Sequence, residues 1–272
     1  MDSTCINCDT CRQLAPFIFG EADDYSFVQA QPSSEGAKRA ATRALLACPT
    51  GSIGTIGDNR AQEVMQDFPL LIDDNVFYCG FCSPKSFGGS SYLIKRKAGN
   101  WLVDSPKFLP HLIKQFSEMG GISKIFLTHS DDVAEANRWA QEFNAERIIH
   151  RNELRAQPDA EIVIDGDGVR EFDGGAFKVI PTPGHTSGHC VLLHEGKFLF
   201  TGDHLAWDRD GKSLTAYRDF CWHSWAKQTE SMKRLAQHDF EWVLPGHGDR
   251  CQLSPSEMRS QMTSLISWME TV

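Results

Sequence analysis

The sequence predicts an α/β chain in two parts: a short cysteine-rich α+β module, then a larger domain of alternating strands and helices. Three observations carry this expectation. Of the nine cysteines, Cys5, Cys8, Cys11 and Cys48 crowd into the first 48 residues. From Val76 onward, short β-rich runs alternate with helical patterns. Within that second part, four apolar runs lead into histidine or aspartate: FLTHSDD, TPGHTSGH, FLFTGDH and WVLPGHGD. The expected boundaries are residues 1–57 for the module, 58–75 for a linker and 76–272 for the larger domain.

In the module, Cys5, Cys8 and Cys11 follow a C-x2-C-x2-C spacing, and Cys48 precedes Pro49. Tight spacing of this kind turns thiolates inward around a compact inorganic group, and iron–sulfur clusters are held by four cysteine sulfurs. A four-cysteine zinc knuckle is the alternative, but three cysteines at this spacing crowd a tetrahedral ion. Between these ligands, AKRAATRALLA reads as a helix.

In the larger domain, SSYLIKRKAGNWLVDSP reads as a hairpin turning at Ala98-Gly99-Asn100. PKFLPHLIKQFSEMGG reads as a helix ending at Gly120-Gly121. ISKIFLTH is a buried strand, and DDVAEANRWAQEF an amphipathic helix with Val133, Ala136, Ala140 and Phe143 on one face. AEIVID, REF, FKVIPTPGH, CVLLH and KFLFTGD read as strands. SWAKQTESMKRLAQHD follows as a helix and FEWVLPGHG as a strand. Ser254-Pro255-Ser256-Glu257 is a capping box. It opens a helix with Met258, Met262, Leu265, Ile266 and Met269 along one stripe.

Composition narrows the function. With 27 Lys and Arg against 36 Asp and Glu, the net charge is −9. No basic block supplies phosphate contacts, so nucleic acid is not the expected partner. No apolar run approaches the ~18 residues of a membrane span. The N-terminus MDSTCINC has neither a basic nor an apolar leader region. With an odd cysteine count, this points to a reducing, cytoplasmic compartment.

CINCDTCRQLAPFIF and CPTGSIG resemble a bacterial-type ferredoxin. Ala15-Pro16 stands where two-cluster members carry a further cysteine, so the resemblance implies one 4Fe–4S cluster held by Cys5, Cys8, Cys11 and Cys48. TPGHTSGH, TGD and PGHG resemble the metallo-β-lactamase superfamily, and TPGHTSGH its glyoxalase II-type turn. That resemblance implies an αββα sandwich with a metal site at one edge.

The chain departs from the family's first motif, H-x-H-x-D-H, by reading His129-Ser130-Asp131-Asp132-Val133-Ala134. Ungapped, Asp131 takes the place of the second histidine. With two residues deleted, Asp131-Asp132-Val133-Ala134 overlies D-H-V-A/G. The second alignment is preferred because its helix start matches. It implies a first site of His129, His185 and Asp203, and a second of Asp131, Asp132 and His247, with Asp203 bridging. Two imidazoles and a carboxylate suit non-haem iron, as in persulfide dioxygenases. The acidic second set suits manganese or magnesium. With the second histidine deleted and the last replaced by Asp132, the expectation is iron, zinc or manganese in a mononuclear or weakly occupied site. As a plainer alternative, Asp131 and Asp132 only cap a helix.

The expected activity is metal-dependent hydrolysis of a small ester or thioester, with Asp131 or Asp132 orienting water or taking its proton. Two alternatives stand beside it. One is a mononuclear-iron redox enzyme fed by the cluster and served by a redox partner protein. The other is a non-catalytic electron-transfer or assembly factor with a decayed metal site. Cys79 and Cys82 read as a dithiol, a metal clip or unlinked core cysteines. Tyr217, Phe220, Trp222 and Trp225 are a prospective pocket wall.

Overall fold

A computed structural model describes residues 1–23, 25–57 and 60–272. Asp58 and Asn59, at the start of the expected linker, lie outside the described residues. Contacts divide the chain into two compact units: residues 1–125 with 134–145, and residues 126–133 with 146–272.

In the first unit, the cysteine loop leads into a short helix, Thr10–Leu14, and an antiparallel hairpin of Phe19–Ala22 with Tyr25–Val28. The expected helix is present as Glu35–Ala47, where the Ser34 side chain accepts from the Ala37 N–H at its N-cap. Ala44 packs with Cys11, Ala15, Ile18, Phe19 and Ile53 in a small core. Four strands follow, each pairing antiparallel with the next: Leu70–Asp73, Val76–Tyr78, Tyr92–Ile94 and Trp101–Val103. The last two are the predicted hairpin. Helix Pro110–Glu118 is shorter than expected and buries Leu112 and Phe116.

The helix predicted from Asp131 begins only at Ala136 and runs to Phe143. Ala134 has φ 37°, outside the helical region, and Glu135 is the N-cap. Asp131 and Asp132 therefore do not cap this helix. The Val133-Ala134 helix start that favoured the gapped alignment does not exist.

In the second unit, six strands form one sheet in the order Arg170–Phe172, Phe177–Pro181, Cys190–His194, Phe198–Gly202, Trp242–Pro245 and Cys251–Gln252. Every neighbouring pair is antiparallel except Phe198–Gly202 with Trp242–Pro245. A parallel pair needs a long crossover, and helix Trp225–Leu235 lies within it. This topology positions the site. Pro181 pairs with Cys190, and Gly202 with Pro245. Chain direction then brings the end of one strand, the start of the next and the ends of two more to a single edge. From that edge hang the segments carrying His185, His189, Asp203 and His247. The Cys190 N–H donates to the Thr128 carbonyl at 2.8 Å, which adds the His129 segment.

Helix Pro255–Met269 carries the predicted capping box. Its Met258, Met262, Leu265 and Met269 are buried against Val191, Leu199, Met232 and Val243, with Ile266 partly buried alongside. Each such side chain stabilises the unit by about 1.5–3 kcal/mol on burial. Two features were not anticipated. Strand Glu146–His150 pairs in parallel with Ile162–Ile164, and a small hairpin joins Ala206–Asp208 to Ser213–Thr215. Among the described residues no helix is long and apolar enough to cross a membrane.

Candidate functional site

The edge of the six-stranded sheet gathers six charged or titratable side chains. His129 Nε2 lies 4.0 Å from Asp131 Oδ2 and 3.8 Å from Asp203 Oδ2. His185 Nε2 is 3.7 Å from each of those same oxygens. Two imidazoles and two carboxylates thus point at one another across gaps that a cation would fill. His247 Nε2 stands 3.8 Å from Asp132 Oδ1 and 3.9 Å from Asp203 Oδ2. Asp203 is common to both sets. Donor atoms of His129, Asp131 and His185, and of His129, Asp132 and Asp203, fall within 4.8 Å of one another.

This placement departs from the preferred alignment at Asp131, which sits with the two imidazoles, and agrees with it at Asp132, which stands beside His247.

The donors fit a metal on grounds of hydrogen bonding. His129 Nε2, His185 Nε2, Asp132 Oδ2 and Asp203 Oδ1 are buried, and none has a hydrogen-bond partner. An unsatisfied buried polar group costs about 1–3 kcal/mol. Such costs on neighbouring side chains are tolerable when cations bind among them. Their backs, by contrast, are held. Thr128 Oγ1 is 2.9 Å from His129 Nδ1, which turns Nε2 inward. His189 does not join the donors. Its Nδ1 is 2.9 Å from Thr182 Oγ1, and its Nε2 accepts the Asp203 N–H at 3.3 Å, so it orients the Asp203 turn.

Two glycines let the carboxylates approach. At Gly246 a Cβ would lie 2.6 Å from Asp132 Oδ2 and 2.9 Å from Asp203 Oδ1. At Gly202, with φ +49°, it would lie 2.7 Å from His189 Nε2.

The electrostatics follow from the packing. The His185 imidazole, with Ser130 and His129 adding, holds the Asp131 carboxyl down at about 2 against its partial burial. Burial opposes the charge on His185, but Asp131 and Asp203 outweigh it and raise its pKa. Burial likewise opposes ionisation of Asp132, yet His247 and His129 keep it lowered. His204 is fully buried, which pushes it down to about 3, and neither ring nitrogen has a partner. It therefore faces inward, not into solvent. Asp131 is half exposed and Asp132 fully buried, so Asp131 is the acid that solvent reaches.

The aromatic segment lies beside this centre. The Trp222 and His223 N–H groups both donate to the His185 carbonyl at 3.0 Å. The Trp222 ring is 6.2 Å from the His185 ring, and Phe220 packs edge-on to Trp222 at 6.0 Å. Both Phe220 and Trp222 remain exposed. Trp225 instead packs, partly buried, against the core and donates its indole N–H to the Met269 carbonyl. Sequence reading missed Thr128, Thr182 and Gly246. A hydroxyl just before a ligand histidine and a glycine before His247 were the available signals.

The cysteine set occupies the first unit. Cys8 lies within electrostatic reach of Cys5 and Cys48, and Cys11 within reach of Cys8. Burial pushes the Cys11 thiol up to about 11 and raises Cys8, so cluster loading must displace protons. Among the described residues no three of these sulfurs fall within 4.8 Å of one another. Four cysteine sulfurs are the donor set that an iron–sulfur cluster takes. Cys79 and Cys82 are buried and free.

Residues 1–55 match the family described as the 4Fe-4S single cluster domain of Ferredoxin I, and residues 85–247 match the metallo-beta-lactamase superfamily. A hydroxyacylglutathione hydrolase of Rhizobium etli is 34% identical over 129 residues, covering 46% of this chain and 50% of that protein. An atrochrysone carboxyl ACP thioesterase of Aspergillus fumigatus is 25% identical over 150 residues, covering 55% and 36%. The chain thus spans half or less of these two relatives. Among solved structures, a DIM-1 metallo-beta-lactamase superposes with TM-score 0.54 at 18% identity, over 74% of this chain and 95% of that one. The peroxy diiron form of the chemotaxis sensor ODP gives 0.53 at 18% identity, over 75% and 94%. These two show the shared fold. With a family match over more than half its length, the chain belongs to the metallo-β-lactamase superfamily and carries a single-cluster 4Fe–4S ferredoxin domain at its N-terminus.

Proposed function

We propose that the chain is a metal-dependent hydrolase of a small acyl ester or thioester. The observation that carries this reading is that His129 and His185 Nε2 both face Asp203 Oδ2, at 3.8 and 3.7 Å, while both nitrogens are buried without a hydrogen-bond partner. A decayed, non-catalytic centre would have no reason to keep buried donors unpaired.

His129, Asp131, His185 and Asp203 would hold one metal, with Asp132, Asp203 and His247 available to a second. A metal there supplies Lewis acidity and acidifies water to near neutral pH. Asp131, ionised and half exposed, accepts a hydrogen bond from the attacking water and fixes its direction toward the acyl carbon. Phe220 and Trp222 offer an apolar face for the acyl group, and the backbone bonds of Trp222 and His223 to the His185 carbonyl keep that face in place. A thioester hydrolase and a hydroxyacylglutathione hydrolase among the relatives support this substrate class.

A second reading has its own observation. Asp131 supplies an oxygen donor where the family has an imidazole, and oxygen-rich 2-His sets suit iron better than zinc. Together with the ferredoxin domain, this favours iron-dependent redox chemistry served by an electron-transfer partner.

One experiment separates them. The anaerobically prepared chain is loaded in turn with zinc, manganese and ferrous iron and given acyl thioesters, with Asp203→Asn as control. Hydrolysis without added reductant, lost in Asp203→Asn while the iron–sulfur absorbance stays, is the expected result. No thioester turnover with any metal, but oxygen uptake by the iron form on reduction, would transfer the assignment to the redox reading.

A further inference from the structure

The C-x2-C pair at Cys79 and Cys82 has no part in the metal centre, yet it lies in the same compact unit as the cluster ligands. The contacts there are direct. The Cys82 N–H donates to the Ala47 carbonyl at 3.2 Å, one residue before Cys48. Lys107 Nζ donates to the Cys48 carbonyl at 3.1 Å. Gly88, at φ +89°, approaches so closely that a Cβ would lie 2.7 Å from Cys8 Cβ and 3.0 Å from its sulfur.

A line of polar hydrogens runs through this contact. Thr10 Oγ1 is 3.5 Å from Cys8 Sγ and 3.8 Å from Cys82 Sγ. Cys82 Sγ is 3.2 Å from the Tyr78 hydroxyl. All three side chains belong to buried residues. Cys79 makes none of these contacts and is fully buried, too buried to serve in an exchanging dithiol.

We propose that Thr10, Cys82 and Tyr78 form a hydrogen-bond chain ending on the Cys8 sulfur, and that this chain raises the reduction potential of the cluster. The proposal rests on the assignment of the cluster to Cys5, Cys8, Cys11 and Cys48. As a cluster ligand, Cys8 is a thiolate and can only accept. The Thr10 O–H then turns toward it, Thr10 Oγ1 accepts from the Cys82 S–H, and Cys82 Sγ accepts from the Tyr78 O–H. Loading thus fixes one direction for all three donors, and donors in series strengthen one another. Reduction adds one electron from an external reductant and moves no proton. The added charge is shared by the ligand sulfurs, so donors aimed at one of them favour the reduced form. The Lys107 ammonium, beside Cys48, acts in the same sense. Cys82 is a positioning residue in this account and not a fifth ligand.

The test is a potentiometric titration of the intact chain with dithionite and mediators, followed by electron paramagnetic resonance. Iron and sulfide are measured in parallel. Thr10→Val and Cys82→Ala are expected to shift the oxidised-to-reduced ratio about tenfold toward oxidised, which is about 59 mV for a one-electron couple. Tyr78→Phe shifts it less, in the same direction. Cys82→Ser, which keeps a donor, stays closest to the unaltered chain. A change under about twofold in both Thr10→Val and Cys82→Ala, with iron and sulfide intact, overturns the proposal. So does loss of iron in Cys82→Ala, since Cys82 would then be a ligand. Absence of iron and sulfide from the unaltered reconstituted chain would instead overturn the cluster assignment beneath it.

Discussion

The cysteine set and the His/Asp set are both arrays of metal-binding side chains on loops, but they are assembled on different scales. Three of the four cysteines sit between Cys5 and Cys11, so a single loop brings them together. The His/Asp donors come from four segments between His129 and His247; the register of a six-stranded sheet aligns three of them, and a backbone bond from Cys190 to Thr128 adds the His129 segment. A locally built site tolerates changes elsewhere and depends on each of its own members. A site built by register depends also on the residues that hold its ligands at the right angle.

The comparison first predicts an all-or-none effect. Cys11 is both a cluster ligand in this reading and part of the small module core. Cys11→Ala is expected to abolish the dithionite-bleachable visible absorption, while metal bound at the His/Asp centre stays within about twofold of its original amount. Joint loss of both metals, measured by elemental analysis, would break the distinction between the two sites.

A smaller effect is expected from a residue that touches no metal. Thr128 holds the back of His129 through Nδ1. Thr128→Val keeps the volume and removes the hydroxyl. Outer-shell partners of ligating histidines are commonly worth about 10–100-fold in metal affinity, and the variant should lose that much in a competition titration with a chelator. The iron–sulfur absorbance should not change. Unaltered affinity would mean that sheet register alone orients His129.

The same contrast explains what could be read in advance. The cysteine spacing and the Cys48-Pro49 pair are local, and so are the capping box at Ser254 and the strands ending in TPGH and TGD. Their periodicity survives in the fold. The turn from Ser130 to Glu135 could not be read this way. Asp131 and Asp132 leave the chain in a non-helical stretch because their carboxylates face the imidazoles, and the apolar spacing of Val133 with Ala136 imitates a helix that begins later. Strand Glu146–His150 was hidden because only Asn144 and Ala145 separate it from the preceding helix, with no Gly or Pro to mark the boundary. Thr128 and Gly246 matter only through neighbours that lie far away in the sequence.

The smallest expected effect concerns pH, and it sharpens the comparison because it falls on a histidine of the His/Asp centre. Asp131 and Asp203 raise the His185 pKa above its ordinary 6.5. The protonated imidazole cannot ligate, so metal must displace that proton. Below the raised pKa, affinity should therefore climb with pH by at most about tenfold per unit, and level off above it. Asp131, held at about 2, is already ionised across this range and adds no slope. The sign reverses for the metal-free protein. A histidine with a raised pKa contributes stability below its unfolded value and loses it as pH rises through the folded value. Metal-induced thermal stabilisation, measured between pH 5.5 and 8.5 as the difference in Tm with and without added metal, should then grow with pH until the raised His185 value is passed. A difference that stays flat or shrinks over that interval would mean that His185 is not protonated in the metal-free centre, and the pairing with Asp131 would have to be redrawn.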